Sequence, residues 1–276
     1  MSVSADLSLP PLTRHRPVGE ATVTAYQRDG HVIVRGLADT DEVSAYRSAI
    51  REATLRASRD VAPLEERDTY GKAFLQVSNL WQLDPAVAAF VLADRFAAVA
   101  AQLLGVERVR IYHDQALFKE PGGGHTPWHQ DSVYWPLDTD QTVTMWMPLV
   151  DLRPDMGGLN FASGSHHGRA LADVTISDES QTHYDTLVAE RSLPVVDHGA
   201  MTAGDATFHA GWTLHRARPN VSRTMREVMT VIWYADGLVA AEPRNANQSA
   251  DLSIWLPGVS PGDPAVSELN PLLPVC

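Results

Sequence analysis

The chain has 276 residues, 44% of them apolar, which is ample for a core of its own and argues against a chain that is disordered as a whole. Its 34 acidic residues outnumber 22 basic ones, giving a formal charge of −12 that speaks against DNA, RNA or an anionic membrane surface as the main partner. The one cysteine, Cys276, is the last residue, so no intrachain disulfide and no thiolate metal cluster can form, which fits a reducing, cytoplasmic setting. The opening MSVSADLSLPPLTRHRPVG lacks an apolar signal-like run, and no later segment approaches ~18 uninterrupted apolar residues, so a soluble protein with no membrane partner is expected.

In chain order, EATVTAYQRD (20–29) reads as a short helix handed over by Gly30 to HVIVRG (31–36), a strand. TDEVSAYRSAIREATLRA (40–57) reads as a longer helix capped by Thr40, and a second long helical run goes from Asp84 to a stop near Gly105. From Val106 the texture turns to β. VRIYHDQALFKE (109–120), TVTMWMPLVDL (142–152), GDATFHAG (204–211), WTLHRA (212–217) and EVMTVIWYA (227–235) are β-branched and aromatic, with Gly and Pro between them. Helices early and strands late predict an α+β fold whose β part is long enough for a jelly roll. With no repeat and no long linker, residues 1–276 read as a single domain with its core over about 20–240, between Pro-rich ends at 9–18 and 257–274.

Within the β part, TPWHQDSVYW (126–135) sets His129 and Asp131 two apart in strand-favouring sequence. Side chains at i and i+2 of a strand share a face, so imidazole and carboxylate converge while Gln130 points away. A second imidazole would complete the two-histidine, one-carboxylate facial set that leaves metal positions open and marks non-haem Fe(II) oxygenases. A His-x-Asp alone is weak, because surface pairs and structural hydrogen bonds give the same pattern. The choice of partner falls on His215, in WTLHRARPNVSRTMR, since Arg226 follows eleven residues later at the opening of the next strand. Such an arginine clamps a distal carboxylate through two parallel hydrogen bonds while the other end of that molecule chelates the metal. His209, six residues earlier in ATFHAGW, has no arginine at that spacing and reads as a neighbouring, orienting histidine.

WHQD, then TMWMPLVDLRPDMGGLNFASGSH, then LHRARPNVSRTMR resemble, in order over roughly Tyr26 to Gly237, the phytanoyl-CoA dioxygenase family of Fe(II)- and 2-oxoglutarate-dependent oxygenases. The resemblance implies a double-stranded β-helix (jelly-roll, cupin-like) core with N-terminal and flanking helices, iron on His129, Asp131 and His215, and the C5 carboxylate of 2-oxoglutarate on Arg226. By the same resemblance Gln115 and Trp146 contact the cosubstrate. A small hydroxyl residue often found two after the distal histidine is Ala217 here. The implied reaction consumes 2-oxoglutarate and O2, releases succinate and CO2, and oxidises an unactivated C–H bond, with hydroxylation the default and desaturation, epoxidation or ring closure as variants. Because halogenating members lack the metal-binding carboxylate, Asp131 argues against halogenation.

Other candidates carry plainer readings. EPGGGHTP (120–127) lacks the lysine and helix of a phosphate loop and reads as a turn entering the metal strand, with His125 facing solvent. His166 and His167 read as structural. Trp81, Trp128, Trp212, Trp233 and Trp255 read as core, whereas Tyr134 and Trp135 lie near a substrate. Lys72 and Gln76 approach the site from the helical layer. Two other function classes compete with the oxygenase: a jelly-roll protein that binds a metal or small molecule without turnover, and a zinc hydrolase, which leaves Arg226 without a role. Among small-molecule substrates, the Ala- and Arg-rich composition points to a GC-rich bacterium and to tailoring of a specialised metabolite such as an antibiotic. The oligomeric state stays open.

Overall fold

The computed structural model describes residues 9–13, 16–172 and 174–273; Cys276 and most of the opening segment lie outside them. Helix α1 (Glu20–Asp29) leads into β1 (His31–Val34), and α2 (Thr40–Ala57) follows. The cap of α2 is Asp39 rather than Thr40: the Glu42 carboxylate accepts the Asp39 backbone N–H at 2.8 Å, the geometry of a capping box. The long helical run is two helices, α4 (Pro85–Val91) and α5 (Asp94–Leu104), preceded by a short α3 (Thr69–Ala73). Asp84 caps α4 and Gly105 ends α5 as the sequence predicts. The break at Ala93, where the backbone turns extended, carries no Pro or Gly. Just beyond it the guanidinium of Arg95, 1% exposed, meets Glu42 of α2 at 2.6 Å. The segment Pro85–Leu104 is apolar and long enough to span a membrane by length and composition, yet 67% of its most apolar 18-residue stretch is buried inside the fold.

The strands are β2 (Leu75–Ser78), β3 (Val109–Phe118), β4 (Thr126–His129), β5 (Thr142–Pro148), β6 (Leu159–Ala162), β7 (Val195–Asp197), β8 (Ala206–Ala210), β9 (His215–Ala217), β10 (Val228–Ala235) and β11 (Leu272–Leu273). A major antiparallel sheet has the order β1-β8-β5-β10-β3-β11, with β2 also on β3, and a minor sheet has the order β4-β9-β6-β7. These two antiparallel sheets with outer helices form the expected α+β double-stranded β-helix. Helix α6 (Asp178–Glu190) lies against β4, and α7 (Ala246–Trp255) follows the last long strand. The segment holding Gln76 was expected in the helical layer but is strand β2, paired with β3.

Strand alternation divides the major sheet into two faces. Met145, Phe208, Val231 and Trp233 join Phe96, Val99 and Leu103 of α5 in the main apolar core; each such side chain contributes ~1.5–3 kcal/mol on burial. The residues one step out of phase face the minor sheet instead. Their register across β3, β10, β5 and β8 makes two rows, His113–Ile232–Thr144–His209 and Gln115–Thr230–Trp146–Thr207.

Candidate metal and cosubstrate site

A cavity of about 460 Å³ opens between the two sheets, within the range of small-molecule sites. Cross-strand pairing of β4 with β9 sets His129 directly opposite His215. Asp131 is not on the strand: β4 ends at His129, and Asp131 opens a 3-10 turn, Asp131–Val133. The convergence inferred from strand alternation is thus reached by a turn, and Gln130 does point away, donating to the Trp212 and Arg169 carbonyls. Gly211 makes room for that turn, because a Cβ there would lie 2.2 Å from Ser132 Oγ and 2.3 Å from Thr142 Oγ1.

The ligand atoms of His129, Asp131 and His215 lie within 4.8 Å of one another. Asp131 Oδ1 faces His129 Nε2 at 3.6 Å and His215 Nε2 at 3.7 Å. Its other oxygen, Oδ2, accepts from Thr144 Oγ1 at 3.1 Å and from His209 Nε2 at 3.3 Å. The imidazoles differ in their second nitrogen. His129 Nδ1 donates to Pro127 O at 2.8 Å and His215 Nδ1 to Thr213 O at 2.9 Å, which turns each Nε2 lone pair inward as metal-ligating histidines require. His209 Nδ1 has no partner among the described residues, so its Nε2 carries the proton that meets Asp131. Burial, reinforced by the neighbouring imidazole, pushes His129 and His215 down to about 4 and keeps both neutral. Burial alone would raise the Asp131 carboxyl, but His215, His209 and His129 outweigh it and hold it below the usual range. Two neutral nitrogens and one carboxylate oxygen, each oriented by a further hydrogen bond, fit a hard-to-borderline divalent cation such as Fe(II).

Arg226 enters the same cavity from the start of β10. It is 1% exposed, donates to Gly157 O at 2.6 Å, and lies over the Trp146 ring at 5.2 Å. Its Nε has no partner among the described residues, and no carboxylate pairs with it there. Lys119, backbone-paired with Arg226, is also buried, and burial followed by the Arg226 charge pushes it down to about 6. Burial likewise pushes Arg226 down to about 9. Lys119 is thereby neutral, which leaves Arg226 as a buried cation with no carboxylate partner among the described residues, a costly arrangement unless an anionic ligand joins it; a dicarboxylate satisfies that need. Gly157 (φ +80°) supplies the accepting carbonyl where a Cβ would meet Arg218 O at 2.4 Å. Gln115 and Trp146 flank Thr230 in one row of the cavity wall. Ala217 pairs in register with Thr126, whose buried Oγ1 lines the cavity without a partner among the described residues.

The geometry accords with what similarity finds. A profile of the phytanoyl-CoA dioxygenase (PhyH) family matches residues 26–228. The chain belongs to this family. A probable alpha-ketoglutarate-dependent hypophosphite dioxygenase of Stutzerimonas stutzeri is 23% identical over 222 residues, 76% of each chain. The non-haem alpha-ketoglutarate-dependent carbocyclase SnoK of nogalamycin biosynthesis superposes with TM-score 0.72 at 27% identity, over 93% of this chain and 96% of its own. The epimerase SnoN, solved with Fe3+, alpha-ketoglutarate and nogalamycin RO, gives 0.75 at 27% identity, over 92% and 97%. As a member of the family this chain is a non-haem iron dioxygenase whose cofactor is iron and whose cosubstrates are 2-oxoglutarate and O2.

The rest of the cavity is only partly legible in the sequence. Tyr134, Trp135 and Gln76 line it, as do Trp255, read as core from sequence, and Tyr70, His113, Ile176 and Asp251, which no motif singled out. His125 and Lys72 do not line it. His166 and His167 are structural, bonding the Gln27 and Arg28 carbonyls of α1.

Proposed function

We propose that His129, Asp131 and His215 hold Fe(II), that Arg226 binds the C5 carboxylate of 2-oxoglutarate beside Gln115 and Trp146, and that this chain, acting as one domain in the cytoplasm, oxidises an unactivated C–H bond of a small molecule in bacterial specialised metabolism. The observation that carries the reading is the meeting, in one cavity, of a facial ligand set with a buried arginine that has no counter-ion among the described residues. Iron with 2-oxoglutarate and O2 supplies the oxidising chemistry, releasing succinate and CO2. The chain supplies binding, orientation and exclusion of water. Thr144 and His209 hold one oxygen of Asp131 so that the other faces the two histidines, and the Trp146 ring packs against the Arg226 guanidinium.

Hydroxylation is the first outcome to test. SnoN and SnoK, an epimerase and a carbocyclase, favour a second one, in which hydrogen removal ends in inversion of the carbon or in ring closure. Candidate metabolites are to be incubated with the purified chain, Fe(II), 2-oxoglutarate and O2 while succinate is followed. Substrate-dependent succinate that chelation abolishes supports the reading. A product heavier by one oxygen indicates hydroxylation, an isomer indicates epimerisation, and loss of two hydrogens indicates ring closure or desaturation. A physiological ligand that binds yet yields no succinate would instead indicate a protein that binds without turnover.

A further inference from the structure

We propose that Asp251 is the recognition group for a positively charged nitrogen on the substrate, so that the cavity takes an amine carried on an apolar or aromatic body; this rests on the iron and 2-oxoglutarate reading above. Asp251 sits on α7, beyond residue 228 where the family match ends. It lines the same cavity as the iron ligands, beside Trp255, Trp135 and Tyr134. Its carboxylate accepts the Tyr112 hydroxyl at 3.2 Å and has no ion-pair partner among the described residues. Burial pushes the carboxyl up to about 7 against the pull of its Tyr112 and Trp255 hydrogen bonds, as befits a carboxylate that the protein leaves without a cation.

The position is built rather than incidental. Gln248 ties the start of α7 to Val133 O at 3.1 Å, in the turn that opens with Asp131. Asn270, fully buried, ties its end by donating to Trp255 O at 3.1 Å and to Ile111 O at 3.1 Å. A carboxylate on a helix pinned at both ends is held ready for its ligand.

Charge balance selects the ligand. Apart from its histidines, the cavity lining carries only Asp131, Arg226 and Asp251 as carboxylates or strong bases, and burial pushes His129, His215 and His113 down to about 4. The charges of Fe(II) and the 2-oxoglutarate dianion cancel, as do those of Asp131 and Arg226. Asp251 is the charge left over. A neutral polyol would leave the half-buried carboxylate uncompensated or protonated, whereas an ammonium pairs with it as a carboxylate. The aromatic side chains of Trp255, Trp135 and Tyr134 line the cavity with Asp251, and aromatic faces attract a cation.

The test uses the full chain loaded with Mn(II), as a redox-silent substitute for iron, and 2-oxoglutarate at mildly alkaline pH. Calorimetry then compares phenethylamine, tyramine and tryptamine with their N-acetyl derivatives. In the wild type the amines should bind at least roughly tenfold tighter than their neutral partners. Asp251→Asn should abolish that preference, Asp251→Glu should retain it, and all three proteins should bind Mn(II) and 2-oxoglutarate alike. Amines that bind the wild type no better than the N-acetyl forms, absence of binding included, would overturn the proposal, as would a preference that survives Asp251→Asn. Those results leave the iron reading standing. Failure of the wild type to take up Mn(II) and 2-oxoglutarate would overturn the iron reading itself and the charge balance built on it.

Discussion

The two faces of the major sheet come from the same strands and do opposite work. On one, Met145, Phe208, Val231 and Trp233 pack on α5 in a continuous apolar core. On the other, His113, Gln115, Thr144, Trp146, His209 and Thr230 line the cavity. A shift of one residue moves a side chain from stability to chemistry, because the strand period is two. Substitutions should therefore separate: those in one phase should unfold the protein with its site intact in the folded fraction, and those in the other should silence it while it stays folded.

The largest separation is expected at Asp131. Asp131→Ala removes the anionic ligand, so turnover should fall by at least about a thousandfold while the melting transition of the metal-free protein stays cooperative. The counterpart on the other side is Phe96→Ala, at a fully buried α5 position. Urea unfolding should show a loss of ~3–5 kcal/mol, with Mn(II) and 2-oxoglutarate affinities unchanged in the folded protein. Next comes Arg226→Gln, which leaves iron binding intact but should weaken 2-oxoglutarate by ~2–5 kcal/mol, measured by calorimetry. Wild-type affinity in that variant would remove the main support for Arg226 as the carboxylate clamp.

A smaller, pH-dependent effect sharpens the comparison. Burial pushes His113 down to about 4, and burial aided by His198 pushes His31 down to about 3. The unfolded chain thus takes up these protons first, near the ordinary value of ~6.5. Their contribution is complete above that value and is lost as the pH falls toward 4, at about 1.4 kcal/mol per pH unit for each. Asp114 and Asp251, pushed up to about 7 by burial, work with the opposite sign, favouring the fold most at low pH and less as the pH rises toward 7. The clean observable is the difference between wild type and His113→Gln, whose acid limb should be flatter. The smallest effect belongs to a surface cap: Asp39→Ala should lower stability by ~1 kcal/mol and alter no ligand affinity.

What could be read in the sequence was whatever shows in local composition or in a motif. Runs of β-branched and aromatic residues between Gly and Pro exposed β3, β5 and β10, and the His-x-Asp pair with the His215 to Arg226 spacing named four side chains that the cavity brings together. The remainder depends on contacts between distant segments. The turn holding Asp131 is shaped by Gly211, and the helix break at Ala93 falls beside the Arg95–Glu42 pair, where no Pro or Gly announces it. Asp251 reaches the cavity because Gln248 and Asn270 bond to residues more than a hundred positions away. Nothing local in NANQSADLSIW signals a wall of the site.

The most direct test of the iron assignment is anomalous diffraction at the iron edge from crystals prepared anaerobically with Fe(II) and 2-oxoglutarate. A single strong peak is expected, bounded by His129 Nε2, one oxygen of Asp131 and His215 Nε2, with His209 still hydrogen-bonded to the other Asp131 oxygen. A peak ligated by His209 in place of His215, or one away from Asp131, would contradict the assignment.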